Sequence, residues 1–246
     1  MADRSKVMGI KQVIHLEWIN KLTDLILAGF DEKACRQEMF NVIMASKSNS
    51  ISEQSCRTTV GIIISIWFPS DSIVKEYRDR ALEALRSNPK ERFLIQWCMI
   101  IVTYPVWFQV SRQVGRLLRL QDQITQSQVV SRIVDIYGDK EPVHRKTRYV
   151  VRSLINWGVL HESEKLGKYV LGEKHDLNQA KHIGLLIEAA IMLSPDQKLS
   201  LDIFRNEPAL FPFNLPALSS HSIPVNRERV EIYRYGADEV LLELRH

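Results

Sequence analysis

Apolar residues recur at three- and four-residue intervals through most of this chain, so helices are the first expectation. Over 10–28 they fall at Ile10, Val13, Ile14, Ile19, Leu22, Leu25 and Ile26, and Gly29 offers a stop. Asp31 is placed to cap a second helix that runs to about Ser46. A polar loop at 46–52 precedes a segment, 52–68, whose apolar end VGIIISIWF halts at Pro69. Asp71 is the next cap, for an amphipathic helix to about Arg86 with Ile73, Tyr77, Ala81 and Leu85 on one face. After Asn88-Pro89 comes an apolar helix over 90–103. Five helices with short connectors predict an all-α bundle in residues 1–103.

The pattern changes from Pro105 onward. A helix to Leu120 is followed by one capped at Thr125, TQSQVVSRIVDIYG, which ends at Gly138. Pro142 suits the first turn of the next helix, PVHRKTRYVVRSLINWG, which closes at Gly158. Residues 159–171 read as two short strands around a polar turn, with Lys165 and Gly167 near its tip. This order of elements, over 104–175, is that of a winged helix-turn-helix. The helix ending at Gly138 is then the supporting helix, the one opening at Pro142 the recognition helix, and 159–171 the wing. Residues 176–246 supply a helix over 176–194 opened by Asp176, a Pro-rich loop over 206–224 and a terminal hairpin. The hairpin strands are RVEIYRY and EVLLELR, joined at Gly236-Ala237-Asp238. The fold class expected is mainly α: an N-terminal helical bundle, a winged helix-turn-helix and a short C-terminal β-hairpin.

At 246 residues, with 45% hydrophobic and 25% charged, the composition is that of a globular chain and excludes wholesale disorder. The net charge of +4 means little until it is mapped. Between Tyr104 and His175 there are twelve basic and seven acidic residues, so the whole positive excess falls in the expected winged helix. In the recognition helix, Val143, Thr147, Val150, Val151, Leu154 and Ile155 supply a packed side. His144, Arg145, Arg148 and Arg152 fall mostly on the other, and the three arginines repeat at i, i+3, i+7 along one stripe. An arginine there reaches guanine or phosphate in a major groove. Lys165 and Lys168 on the wing are placed for the neighbouring backbone. Arg112, Arg116 and Arg119 form a second patch of similar spacing. Duplex DNA is the partner this pattern implies. An adaptor that docks proteins through the same surfaces, or a transcriptional regulator, is the competing expectation.

Other chemistries find little support in the residues. Cys35, Cys56 and Cys98 have no CxxC spacing, and the pair His175 and His182, placed on one helix, is too widely spaced to chelate a metal. No phosphate-binding loop, dinucleotide fingerprint, nucleophile elbow or HExxH motif is present, so the reading is non-enzymatic and without a cofactor. Residues 93–110 form an uncharged run of 18 between Arg92 and Arg112, at the lower edge of a membrane span. Pro105 breaks it, and a buried helix, a bend and a second helix are expected instead of a membrane segment. Trp67, Trp97 and Trp107 read as core aromatics. Tyr233 and Tyr235, around Arg234, offer a lesser candidate for base stacking.

Two stretches carry a family resemblance. AGFDEKACRQEMFN at 28–41, with a later helix start at Ser52, Ser55, Arg57 and Thr58, resembles the helical half of the BrxA family, small proteins of BREX phage-resistance systems. KTRYVVRSLINWGVL, Lys146 to Leu160, resembles that family's winged-helix portion. The likeness spans roughly residues 10–245. It implies a cytoplasmic, non-enzymatic, double-stranded DNA-binding accessory of a phage-defence system, with other defence proteins as further partners. It also implies an N-terminal bundle similar to that of the antitermination factor NusB. Members of that family have been labelled inner-membrane proteins, and the run at 93–110 shows how hydropathy alone leads there.

Overall fold

The computed structural model describes residues 9–46, 52–177, 179–219, 222–235 and 239–245. Its first segment, residues 9–15, is irregular and reaches an extended backbone at His15, whereas the apolar spacing predicts a helix from Ile10. Helix α1 (Leu16–Leu27) begins only after His15, whose backbone is still extended. Ile10 and Ile14 are fully buried all the same. A separation of four residues places two side chains on one side of a helix and equally on one side of a strand. Tertiary partners decide between the two. The Ile14 N–H donates to Ser153 Oγ at 2.9 Å, the Leu16 N–H to Asn156 Oδ1 at 2.9 Å, and Trp157 Nε1–H to the Ile14 carbonyl at 3.0 Å. The backbone groups a helix would satisfy internally are satisfied across the molecule.

Helices α2 (Glu32–Ser46), α3 (Glu53–Trp67), α4 (Ser72–Ser87) and α5 (Arg92–Thr103) follow the expected bounds closely. Asp31 accepts from the Ala34 N–H at 2.8 Å, and Asp71 from the Ile73 and Val74 N–H groups. These caps satisfy donors the first turn leaves open. Most of the loop expected at 46–52 lies outside the described residues. Helix α5 is buried from Leu94 through Val102, which is why its sequence shows no polar face. It stops at Pro105, and α6 (Pro105–Leu118) leaves at an angle of 115°. No single helix among the described residues is long and apolar enough to cross a membrane.

Beyond α6 come β1 (Ile124–Thr125), α7 (Gln126–Tyr137), α8 (Glu141–Asn156), β2 (Leu160–Glu162) and β3 (Lys168–Leu171). Thr125 caps α7 reciprocally. It accepts from the Gln128 N–H at 3.2 Å, while its own N–H donates to Gln128 Oε1 at 2.7 Å. Gly158, at φ +72°, lets the chain turn out of α8: the Val159 N–H returns to the Leu154 carbonyl and the Gly158 N–H to that of Ile155. The three strands form an antiparallel sheet in the order β1-β3-β2. Strand β1, two residues long, is absent from the sequence expectation because no periodicity can develop over so short a stretch.

The C-terminal third contains β4 (His175–Asp176), α9 (Ala180–Leu193), β5 (Lys198–Ser200), α10 (Leu201–Arg205), β6 (Phe213–Asn214), β7 (Val230–Tyr235) and β8 (Glu239–Leu244). Asp176 does not open α9 as expected. It lies in β4, paired parallel with β6, and its carboxylate accepts from Asn214 Nδ2 at 2.8 Å. His175 therefore lies outside the helix that carries His182. The Pro-rich loop holds a 3-10 turn at Pro208–Leu210 as well as β6. The terminal hairpin gains β5 as a third strand, in the order β5-β8-β7; its turn at Gly236-Ala237-Asp238 lies outside the described residues. Helix α9 is buried from His182 through Met192 and packs against α5. A Cβ on Gly115 of α6 would stand 1.9 Å from the Pro208 carbonyl oxygen, so only glycine admits the overlying turn.

An aromatic group joins these parts. Trp97 of α5 meets Trp107 of α6 and Trp157 at the end of α8 edge-on or tilted, with centroids 5.0–6.2 Å apart around the three indoles. Phe213 of β6 stands 5.8 Å from Trp97. Such pairs contribute about 0.5–1.5 kcal/mol each beyond their buried area.

Two predictions follow from this packing. Gly115→Ala forces Pro208 away and lowers stability by about 1–3 kcal/mol. Gly61→Ala, in α3 with nothing near the added methyl, raises it by about 0.5–1 kcal/mol. Urea midpoints of the two variants check both signs. The second concerns His182, 1% exposed, whose ring nitrogens make no well-formed hydrogen bond among the described residues. Burial pushes its pKa below the ordinary histidine value, against the opposing pull of Glu91 and the Ala84 backbone. The unfolded chain therefore takes up a proton first as pH falls. The stability this group contributes is present above the ordinary histidine pKa and is lost as pH falls below it. Thermal midpoints between about pH 7.5 and 5.5 should fall, and His182→Leu should flatten that slope.

Candidate nucleic-acid interface

Helix α8 has one side committed to the interior. Val143, Thr147, Val150, Val151 and Leu154 are buried, and the Thr147 hydroxyl donates to the Val143 carbonyl at 2.8 Å. Ser153 and Trp157 face the N-terminal segment. Arg145, Arg148 and Arg152 are all exposed, along the stripe their spacing predicts. Ile155, assigned to the packed side, is half-buried.

These cations differ in their surroundings. Arg145 stands 3.3 Å from Glu141, one turn earlier, with both side chains largely in solvent. An exposed pair of this kind contributes about 0–1 kcal/mol and yields readily to a better anion. Arg148 and Arg152 have no ion-pair partner among the described residues, and neither do Lys165 and Lys168 on the β2–β3 hairpin. His144 is tied back to Asp139, with Nε2 at 2.5 Å from the carboxylate, in the turn that precedes α8. The structure thus holds His144 beside the stripe but already engaged.

In the second patch, Arg112 and Arg116 line one groove and Arg119 borders another. Arg112 is clamped to Glu207 by two parallel hydrogen bonds of 2.9 and 2.7 Å. Its guanidinium also lies 4.7 Å from the centre of the Phe108 ring. Glu207 is buried and accepts from the Ala209 N–H as well. Arg112 therefore fastens the Pro208–Leu210 turn onto α6. Arg116 and Arg119 remain exposed but border different hollows. Arg116 borders a groove of about 750 Å³ shared with α9 and β5, and Arg119 one of about 340 Å³ with Lys174 and Arg205.

Two cations join α8 that the sequence reading did not assign to the site. Lys11, on the N-terminal segment, comes close enough to Lys146 to act on it. Burial chiefly, then Lys11 and Arg145, hold the Lys146 ammonium below its ordinary pKa. Nothing local could have revealed the approach, because the contact that seats the segment joins residues 139 positions apart. Tyr233 and Tyr235 sit on β7, an edge strand of a different sheet. Among the described residues no group of three or more His, Cys, Asp or Glu side chains is arranged to hold a metal ion. Comparison with protein-family models, curated proteins and solved structures finds no match to this chain.

The contrast among arginines is measurable without any ligand. Arg112→Ala strands a buried carboxylate and should lower stability by about 3 kcal/mol. Arg148→Ala and Arg152→Ala, on the open face, should each stay within about 0.5 kcal/mol of the parent. Chemical denaturation of the three variants tests the division.

Proposed function

We infer that residues 105–171 form a winged helix that binds duplex DNA with weak sequence preference. The order α6, β1, α7, α8, β2, β3 and the antiparallel arrangement β1-β3-β2 support the winged-helix reading. The observation that carries the function is the open cationic stripe of α8. Of the twelve basic residues between Tyr104 and His175, only Arg112 and Arg145 have an ion-pair partner among the described residues. Elsewhere, Arg36, Arg57, Arg80, Arg92 and Arg229, among others, are each engaged by a carboxylate.

In this reading α8 enters the major groove, where Arg145, Arg148 and Arg152 hold phosphates and base edges. Lys146 and Lys11 add cationic surface on the flank of α8 that meets the N-terminal segment. Lys165 and Lys168 hold the backbone beyond the groove. Phosphate contacts outnumber groups suited to base readout, so affinity is mainly electrostatic and preference weak. The resemblance to BrxA-like proteins supports placing this binding in a phage-defence assembly.

Binding should weaken linearly in log–log coordinates as salt rises. With five cations on phosphate the slope is about −4.5, and each Lys or Arg removed from the set should reduce its magnitude by about 1. Arg145, Arg148 and Arg152 changed together to Ala should abolish a gel shift at moderate salt while circular dichroism stays unchanged. An undiminished shift in that variant overturns the reading.

A further inference from the structure

The tip of the β2–β3 hairpin exposes an apolar side chain. Leu166 is 96% exposed, more than any other large apolar residue among those described. Its position is fixed by an ordered turn. The Lys168 N–H donates to the Lys165 carbonyl at 3.1 Å, which closes residues 165–168. Gly167, at φ +76°, occupies the third position of that turn, as a type II turn requires. Leu166 is therefore the outer corner. Below it, the Ser163 N–H donates to the Lys168 carbonyl at 2.9 Å, and the Ser163 hydroxyl to that of Lys165 at 3.1 Å. The leucine stands on a braced hairpin between two lysines without ion-pair partners among the described residues. Glu162 and Glu164 precede the turn, so within residues 165–168 the only charges flanking Leu166 are the two lysines.

We propose that Leu166 is a wedge that enters the minor groove beside the α8 footprint and partly unstacks one base step. The proposal rests on the duplex reading of α8 and adds to it a deformation of the DNA. The chemistry is complementary on both counts. Lys165 and Lys168 meet the phosphates that rim the groove, and the leucine meets the apolar base faces that an opened step exposes. Apolar wedges of this size kink duplexes toward the major groove. Pyrimidine–purine steps open most easily and stiff A-tracts least, so preference arises from deformability, with no base edge read.

The test uses the full chain and short duplexes that carry 2-aminopurine within a TA step or within an A-tract. Binding is first followed by anisotropy, then base unstacking by 2-aminopurine fluorescence and bending by end-to-end energy transfer. The parent protein should raise fluorescence about twofold or more on the TA duplex and little on the A-tract. Leu166→Ser should keep affinity within about threefold and the same salt slope, but lose the fluorescence rise, the bend and the preference for TA. Leu166→Phe should restore them. A saturated TA duplex with unchanged fluorescence, or an undiminished rise with Leu166→Ser, overturns the wedge and leaves the α8 reading intact. No binding by the parent overturns both. If Leu166→Ser instead dissociates a dimer seen by sedimentation, with no effect on DNA, the tip serves a second copy and the proposal falls.

Discussion

The indole of Trp97 is the point at which the separate stretches of this chain become one structure. It lies within α5, touches Trp107 of α6 and Trp157 beyond α8, and receives Phe211 and Phe213 from the C-terminal third. Each of these residues comes from an element with its own local reasons to form. None of those local reasons sets the elements relative to one another, and the close packing of large rings does, because interiors tolerate few voids. Trp157 makes the junction matter for the proposed function. It ends the helix that carries the cationic stripe, so the rings hold one end of α8 while the arginines project from the rest. A binding surface mounted on a braced helix keeps its geometry better than one on a loop.

Charge is disposed in two ways in the same molecule. Away from α8, cations are used as struts: Arg92 reaches Asp24, and buried Glu188 is engaged by Arg80 and lies 3.9 Å from Arg229. Burial pushes the Glu188 carboxyl up, and the two guanidinium groups oppose that shift. Arg229 also meets Glu76, so the entry to β7 is tied to α4 by charge. On α8, Arg145 has only its exposed contact with Glu141, and Arg148 and Arg152 have no ion-pair partner among the described residues. Leaving cations unpaired does nothing for the fold, and their accumulation near Lys11 and Lys146 works mildly against it. A structure that neutralises most of its buried and bridging charge but leaves one helix face open has that face available to an outside anion.

Most of the helices were legible because caps and periods agreed. Asp31, Asp71 and Thr125 begin helices where expected, and Gly158 ends α8, since each meets a need set by its immediate neighbours. What was not legible required a distant partner. Ile10 and Ile14 fit a helix or a strand equally, and only Ser153 and Trp157 decide. Strands β1, β4 and β6 are two residues long, and pairing, not pattern, makes them strands. The site shows the same limit. Arg112 and Arg148 look alike in sequence, each on a basic stripe at helical spacing. What separates them is Glu207, 95 positions from Arg112, which turns one arginine into a clasp.

The segment before α1 adds a constraint on how any complex forms. Gln12 donates to Ser55 of α3 at 3.2 Å, and Ile14 is bonded to both Ser153 and Trp157. Helix α8 is thereby linked to α3 along its flank, through that segment, as well as held by the tryptophans at its end. For the helix to tilt or slide on meeting a duplex, those hydrogen bonds and the ring packing would have to break together. The protein side of the proposed complex is thus preorganised and loses little freedom on binding. Any mismatch between the stripe on α8 and a straight duplex then falls on the DNA, whose bending energy depends on its sequence. A rigid reader with few base-specific contacts would therefore still discriminate among duplexes, by how readily each one bends to fit it.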